Sequence, residues 1–192
     1  MAVYKLKTPI SEADIRKLKL NDTIYITGTI FTARDQTHKK AQQIAKEGKK
    51  PPIDMEGLAL FHCGPIVQKE KNKWTIVAAG PTTSMNMEPY EPEFIKNHKI
   101  RIVIGKGGMG KKTTNAMKQH GAIYGAFTGG TAVLAAKAIK NVKTVEWLDL
   151  GMPQALWIFE VENFGPLTVA IDAHGNNPVS YTHLTLPTNR EV

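Results

Sequence analysis

Two short segments of this chain combine glycine, hydroxyl and lysine residues in a way that suits anion binding. They are residues 80–84, which read GPTTS, and residues 105–110, which read GKGGMG. Each follows an apolar run with the composition of a strand, and ligands often bind where strands end. A third strand-like run ends just before Arg34. We therefore expect Arg34, Thr82 and Lys106 to meet around a small ligand that carries more than one negative charge.

The glycine-rich segment resembles two nucleotide-binding patterns but satisfies neither. Gly105, Gly107 and Gly110 fit the dinucleotide spacing, yet residues 94–145 contain no Asp or Glu to bind a ribose hydroxyl. A P-loop would place its lysine directly before Ser or Thr, and Lys106 lies early in the run instead. Glycines let the backbone approach a ligand, a helix N-terminus favours anions, and Lys106 adds charge. The alternative is a tight turn with a solvated lysine.

The hydroxyl-rich segment and the arginine each allow two interpretations. Thr82 and Thr83 can donate to a carboxylate, and a threonine assisted by a nearby cation can take part in proton transfer. The same spacing also suits a turn that caps the following helix. Arg34 can hold a carboxylate through two hydrogen bonds, or it can pair with Asp35. His38 lies one helical turn beyond Arg34, and an orienting hydrogen bond is its expected role.

Composition narrows the class of protein. The chain has 192 residues and a formal net charge of +8, so one domain is expected. Its basic residues are dispersed and lack interleaved aromatics, so we expect no nucleic-acid partner. Cys63 is the single cysteine, which excludes disulfides and any all-cysteine metal site within the chain, and we assign no metal ligand to it. His62 and Cys63 lie in an apolar strand and are expected in the core or just behind the site.

The two ends of the sequence give further expectations. Without an apolar leader or a run of about 20 apolar residues, a cytoplasmic protein with no membrane partner is expected. Residues 179–192 read like a translated sequencing adaptor, so we predict one domain over residues 1–178 and a non-native tail over 179–192. A natural disordered tail is the alternative.

Hydrophobic patterning predicts an α/β fold with a mixed central sheet and flanking helices. Strands are predicted at residues 23–31, 58–62, 74–79, 100–104, 122–127, 145–148, 157–161 and 167–171. Gly28 is a candidate bulge, and a Lys-rich hairpin is predicted to join the second and third strands. Helices are predicted from Ser11, from a cap at Asp35 to about Lys46, and at residues 91–97, 111–120 and 131–139.

Six motifs occur together and in order, and they make a family resemblance specific. They are TARDxxH at residues 32–38, FHxGP at 61–65, GPTTS at 80–84, GKGGM at 105–109, LGMP at 150–153, and FGPL with DxHGN at 164–176. The chain resembles the β subunit, or C-terminal domain, of class I fumarases and L(+)-tartrate dehydratases. The resemblance implies a swivelling β/β/α domain. It also implies a partner α subunit that binds a [4Fe-4S] cluster, in a heterodimer or heterotetramer acting on a small dicarboxylate.

The resemblance assigns roles to individual residues. Thr82 matches the proposed catalytic base, and Lys106 matches an active-site lysine. The substrate-binding set is Arg34, Thr83, Asn86, Gly105 and Gly107, and the residues expected to support it from behind are Asp35, His38 and His62. The cluster would be ligated by the partner and not by this chain.

Asn86 departs from the family pattern, which usually has arginine at this position. Losing that charged clamp would cost on the order of 1.5–3 kcal/mol. This difference from the family is compatible with an altered substrate preference, with reduced activity or with an error in the sequence. Hydration of fumarate to malate is the expected reaction, and dehydration of L(+)-tartrate is the alternative. A non-catalytic anion-binding module is the alternative from another class.

Overall fold

Residues 1–71, 73–127 and 132–178 are described by the computed structural model of the chain, and they form nine strands and five α-helices. The strands are β1 Val3–Lys7, β2 Thr23–Thr32, β3 Ala59–Phe61, β4 Ile66–Glu70, β5 Lys73–Ala78, β6 Ile102–Gly105, β7 Ile123–Ala126, β8 Ile139–Glu146 and β9 Leu156–Ile171. The α-helices are α1 Glu12–Ile15, α2 Asp35–Lys46, α3 Glu91–His98, α4 Lys111–His120 and α5 Ala132–Ala138.

The main sheet is mixed and partly closes on itself. Its seven strands run in the order β1-β2-β3-β6-β7-β9-β8, and β2 also pairs with β9. Strands β2, β3, β6 and β7 are parallel neighbours, while β9 runs antiparallel to both β2 and β7. These five strands therefore form a barrel-like ring, with β1 and β8 attached outside it. The α/β prediction with a mixed central sheet is confirmed.

Both faces of the central strands are buried, which explains their continuous apolar sequences. Phe61 and Ile104 point into one core cluster, together with residues from β2 and β9. Leu60 and Val103, one position away, point into a second cluster that includes Phe94 and other residues of α3 and α4. Helices α2, α3 and α4 pack together on that second side.

Most elements lie where the sequence predicts them. Helix α4 has the predicted bounds, α2 ends at Lys46 as predicted, and the predicted bulge at Gly28 is confirmed by a register shift between Ile26 and Gly28 in the β2–β9 pairing. The residue preceding α2 is Arg34 rather than the predicted cap Asp35, and the Arg34 N–H donates to Thr37 Oγ1 at 3.1 Å. The predicted start of α5 at residue 131 and the predicted tail at residues 179–192 lie outside the described residues.

Three strand predictions are wrong. The Lys-rich hairpin joins β4 to β5, because β3 belongs to the main sheet and a strand at Ile66–Glu70 was missed. Strand β8 ends at Glu146 instead of beginning near residue 145, since its largely exposed residues give no apolar run. The two predicted C-terminal strands are one strand, β9, because Gly165 and Pro166 form an irregularity within it rather than a break.

The parallel arrangement gathers the predicted site segments at one edge of the sheet. Strands β2, β3 and β6 end at Thr32, Phe61 and Gly105, and parallel strands present their carboxyl ends on the same side. The chain therefore leaves the sheet on this side just before Arg34, His62 and Lys106. Among the described residues, no helix is both long and apolar enough to cross a membrane.

Candidate functional site

Main-chain hydrogen bonds connect the segments at this edge. The Thr82 N–H donates to the His62 carbonyl at 2.7 Å, and the Lys106 N–H donates to the Thr82 carbonyl at 3.3 Å. The Ser84 N–H then donates to the Lys106 carbonyl at 2.9 Å. The threonine segment thus lies between the extensions of β3 and β6 as a short additional ladder. This ladder fixes the backbone of Thr82 beside that of Lys106.

Arg34 approaches the same edge from the end of β2. The Ala33 N–H donates to the Phe61 carbonyl at 3.2 Å, which holds the arginine next to the β3 extension. Its side chain runs along Gly64, where an added Cβ would come within 2.9 Å of the Arg34 Nη1 atom. The Arg34 Nε is buried and has no hydrogen-bond partner among the described residues. A buried donor without a partner is costly, so a ligand carboxylate is the kind of group that would satisfy it.

Thr83 and Asn86 lie on the solvent side of the threonine segment. Both are exposed, and Thr82 is half-buried between them and the sheet. Asn86 belongs to a short 3-10 helix, Ser84–Met87, that follows the two threonines directly. An arginine at this position would therefore also be exposed to solvent at its Cα.

The glycine-rich segment divides into an exposed part and a buried part. Lys106 and Gly107 are exposed, and Gly107 has a φ of 81° in the left-handed region. Gly105 is buried, and a Cβ there would meet the Ser84 hydroxyl and come within 3.1 Å of the Tyr124 hydroxyl. Gly105 thus faces a buried polar layer, while Lys106 faces outward.

The sequence predicts that the N-terminus of α4 favours an anionic ligand. This prediction is wrong in one respect, because a side chain of the protein already occupies the helix end. The Glu88 carboxylate accepts from the backbone N–H groups of Gly110, Lys112 and Thr113 at 2.8, 3.1 and 3.2 Å. It also accepts from the Thr113 hydroxyl at 2.6 Å. Glu88 therefore satisfies the helix end and leaves Lys106 as the cation available to a ligand.

Behind the edge lies a buried polar layer formed by five side chains. His38 and His62 both contact Glu91 Oε2 through Nε2, at 3.0 and 2.9 Å. Ser84 Oγ lies 2.9 Å from His62 Nδ1 and 2.9 Å from the Tyr124 hydroxyl. His38 and His62 are both fully buried in this layer.

Asp35 and Cys63 flank Arg34. Partial burial acts to raise the pKa of Asp35, but hydrogen bonds from Gln154, from its own backbone and from Gln36 outweigh it and lower that pKa. Burial raises the pKa of the Cys63 thiol to about 12, although the nearby Arg34 acts to lower it. Cys63 is therefore a protonated core residue, in keeping with its expected place.

Sequence reasoning missed Glu88, Glu91, Tyr124 and Gln154. Gln154 follows the LGMP motif, and its side chain donates to Asp35 Oδ1 at 2.7 Å while its carbonyl accepts from Thr37 Oγ1 at 2.6 Å. The residue that follows the LGMP motif thereby stabilises the start of α2. A carboxylate in the first turn of a predicted helix, as at Glu91, is read as a helix-end charge, so its burial gave no sequence signal.

Comparison with known proteins shows the family of this chain. Residues 2–181 match the sequence profile of the family described as Fumarase C-terminus. The L(+)-tartrate dehydratase subunit beta of Escherichia coli K12 is 45% identical over 176 residues, which cover 91% of this chain and 86% of the relative.

Two more distant organisms supply similar proteins. A Methanocaldococcus jannaschii protein, provisionally named an L(+)-tartrate dehydratase subunit beta, is 44% identical over 88% of this chain and 87% of its own length. A Geobacillus stearothermophilus protein, provisionally named a class I fumarate hydratase, is 42% identical over 91% of this chain but only 33% of its own length. This chain belongs to the family of fumarase C-terminal domains.

Proposed function

We propose that this chain is the β subunit of an iron–sulfur hydro-lyase that reversibly hydrates fumarate to malate. One observation carries the proposal: three segments distant in sequence bring Arg34, Thr82 and Lys106 to one edge of the sheet. Among the described residues, no hydrogen bond or ion pair engages the Thr82 hydroxyl or the Lys106 ammonium. The Arg34 Nε is likewise without a partner there. Functional groups left unengaged at a shared edge are suited to a ligand.

The chemistry of a dicarboxylate matches these groups. The guanidinium of Arg34 would hold one carboxylate through a charge-assisted pair of hydrogen bonds. Thr82 would exchange the proton at the carbon beside a carboxylate, while hydroxide is gained or lost at the neighbouring carbon. A threonine hydroxyl alone is a weak base, and the positive charge of Lys106 would stabilise its deprotonated form. Thr83, Asn86 and the backbone at Gly105 and Gly107 would complete the substrate contacts.

The residues present fit a cluster held by another subunit. The one cysteine is buried with a raised pKa, so this chain offers no set of thiolates for an iron–sulfur cluster. When bound to the partner, a [4Fe-4S] cluster would supply a Lewis-acidic iron to the substrate's hydroxyl and carboxylate. The name "subunit beta" of the relatives supports a cluster-bearing α subunit as the partner, in a heterodimer or heterotetramer. We place the complex in the cytoplasm.

Dehydration of L(+)-tartrate to oxaloacetate is the second candidate reaction. Sequence similarity favours it as strongly as it favours hydration of fumarate. The relatives matched over most of their own length are named tartrate dehydratase β subunits. Tartrate differs from malate by one hydroxyl, so the same arginine, threonine and lysine would serve both reactions. Asn86, a small amide where the family usually has arginine, is the residue expected to influence this choice.

Anaerobic co-expression with the α subunit, followed by cluster reconstitution, tests the proposal. Fumarate, malate and L(+)-tartrate are assayed in parallel, and turnover of at least one is expected. Lys106→Ala should cut turnover well over tenfold without preventing assembly, whereas Lys112→Ala, an exposed lysine of α4, should change it less than twofold. An intact cluster with undetectable turnover on all three substrates would leave the non-catalytic anion-binding module. A variant truncated after residue 178 and co-expressed with the partner should retain the wild-type rate.

A further inference from the structure

The buried polar layer behind the site is a continuous chain of hydrogen bonds that begins at a backbone group of the site. His38, His62, Ser84 and Glu91 are fully buried, and Tyr124 is buried as well. One end of the chain is the Arg34 carbonyl, which lies 2.7 Å from His38 Nδ1. The other end is the Tyr124 hydroxyl, which lies 2.9 Å from Ser84 Oγ. Ser84, in the middle, is two residues from Thr82.

The geometry dictates where the protons lie at the histidine end. A carbonyl oxygen only accepts, so His38 Nδ1 must donate to Arg34. Burial acts to raise the pKa of Glu91, but the two imidazoles outweigh it and lower that pKa to about 2, so the carboxylate is ionised at neutral pH. Both Nε2 atoms must then donate to Glu91 Oε2. Each ring nitrogen of His38 therefore faces an acceptor, the Arg34 carbonyl at Nδ1 and the Glu91 carboxylate at Nε2, so the geometry has His38 donating from both.

The direction of the remaining hydrogen bonds follows from His62. Burial lowers the pKa of His62, so it is neutral, and its Nδ1 accepts because its Nε2 donates. Ser84 is then the donor to His62 and the acceptor from Tyr124. Burial raises the pKa of Tyr124 to about 12, which keeps its hydroxyl protonated for this role. Every hydrogen bond in the chain has one assigned donor and one assigned acceptor.

We propose that Glu91, His38 and His62 are positioning residues that hold the three substrate-facing segments in a fixed relative arrangement through this chain. The inference rests on the proposed function, because the segments it connects are those of Arg34, Thr82 and Lys106. The Arg34 carbonyl belongs to the first segment, and Ser84 follows Thr82 in the second. The Ser84 N–H donates to the Lys106 carbonyl of the third segment at 2.9 Å. Gly105 is part of the same arrangement, because a side chain at this position would collide with the Ser84 hydroxyl.

A spectroscopic measurement tests the charge assignment without using activity. The full chain is labelled with nitrogen-15 at its six histidines, and the ring-nitrogen shifts are measured at pH 7.5. We expect His38 to show two protonated nitrogens with imidazolium shifts, and His62 to show one protonated nitrogen. In Glu91→Gln, which keeps the shape and removes the charge, the imidazolium signal should disappear. A neutral His38 in the wild-type chain would overturn the proposal.

Kinetics of the reconstituted complex test the positioning role. Glu91→Gln should lower kcat/KM tenfold or more, with a raised KM. Asp172→Asn is the matched control, because Asp172 is also a buried, hydrogen-bonded carboxylate. It follows the C-terminal end of β9, which pairs with the starts of β2 and β7, so it lies at the edge of the sheet opposite the candidate site. This control should change kcat/KM less than twofold. A folded Glu91→Gln complex with kcat/KM within twofold of wild type would overturn the proposal.

Two further measurements keep the test decisive. If Glu91→Gln fails to fold, Ser84→Ala interrupts the chain by deleting one hydroxyl, and it should lower kcat/KM at least threefold. The ligand-type atoms of His38, His62 and Glu91 lie within 4.8 Å of one another, so elemental analysis of the purified chain is included. One equivalent of metal that is lost in His38→Gln would replace the hydrogen-bonded chain with a metal site. A wild-type complex without turnover on any dicarboxylate would refute the proposed function but leave the nitrogen shifts as an independent result.

Discussion

Gly64 allows the role of Arg34 to be tested without altering the arginine itself. An alanine Cβ at this position would lie 2.9 Å from Arg34 Nη1, 2.9 Å from the Pro153 carbonyl oxygen and 3.0 Å from Pro153 Cβ. Such distances are too short for a carbon atom. The guanidinium is flexible and can move away, whereas the Pro153 contacts belong to a backbone segment and a rigid ring, so the loop at Gly64 must also shift. Gly64→Ala should therefore displace Arg34 from its binding position.

The size of the effect follows from the hydrogen bonds that would be lost. A charge-assisted pair between arginine and a carboxylate contributes about 1.5–3 kcal/mol. This range corresponds to roughly 12- to 150-fold in kcat/KM. Arg34→Met should show the full loss. Because the Arg34 Nε has no partner among the described residues, its removal should change the free energy of unfolding by less than about 1 kcal/mol.

A double-mutant cycle in the reconstituted complex is the assay. The values of kcat/KM for Gly64→Ala, Arg34→Met and the double variant are measured with the substrate that the complex turns over best. We expect Gly64→Ala to have a clearly smaller effect once Arg34 is methionine, because the part of its effect that acts through the guanidinium is then absent and only the contacts with Pro153 remain. Additive losses, or a Gly64→Ala variant with the wild-type rate, would refute this reasoning.

Three other predictions concern neighbouring parts of the site. Asn86→Arg should raise kcat/KM for the preferred dicarboxylate by about 10- to 100-fold, and an unchanged value would remove this position from the substrate contacts. Glu88→Ala should lower the free energy of unfolding by about 1–3 kcal/mol because α4 loses its cap; a melting temperature equal to that of the exposed control Glu47→Ala would contradict this. The pKa of Glu91 is lowered to about 2 from 4.5, so its contribution to stability is present above pH 4.5 and is lost as the pH falls toward 2. Other carboxylates with lowered pKa values, such as Asp22 and Asp35, also lose their contributions in this range. Urea unfolding between pH 2 and 6 should therefore show a larger fall in the wild-type chain than in Glu91→Gln.

The elements of the fold that could be predicted from sequence are those with a strong local signal. Helix α4 begins after a glycine-rich turn and ends at Gly121, whose φ of 66° suits a helix terminus. The buried strands β3 and β6 have apolar runs bounded by polar segments. Strand β8 could not be found in this way, because it is an exposed edge strand whose residues are stabilised by pairing with β9 rather than by burial.

The exposed groups of the candidate site were recognisable, but the supporting layer was not. Thr82 and Lys106 follow strands within distinctive motifs, and the parallel sheet brings their backbones together. Glu91 is 53 residues from His38 and 29 residues from His62 in sequence, and only the packing of α2 and α3 brings it to both. Side-chain contacts at such separations leave no periodic pattern in a single sequence.

A crystal structure of the anaerobic αβ complex with a bound, non-reacting dicarboxylate tests the central claim most directly. We predict that one ligand carboxylate lies within 3.2 Å of the Arg34 guanidinium, and that the Thr82 hydroxyl and the Lys106 ammonium contact the same ligand molecule. A dicarboxylate bound in the complex without contact to any of these three side chains would contradict the account.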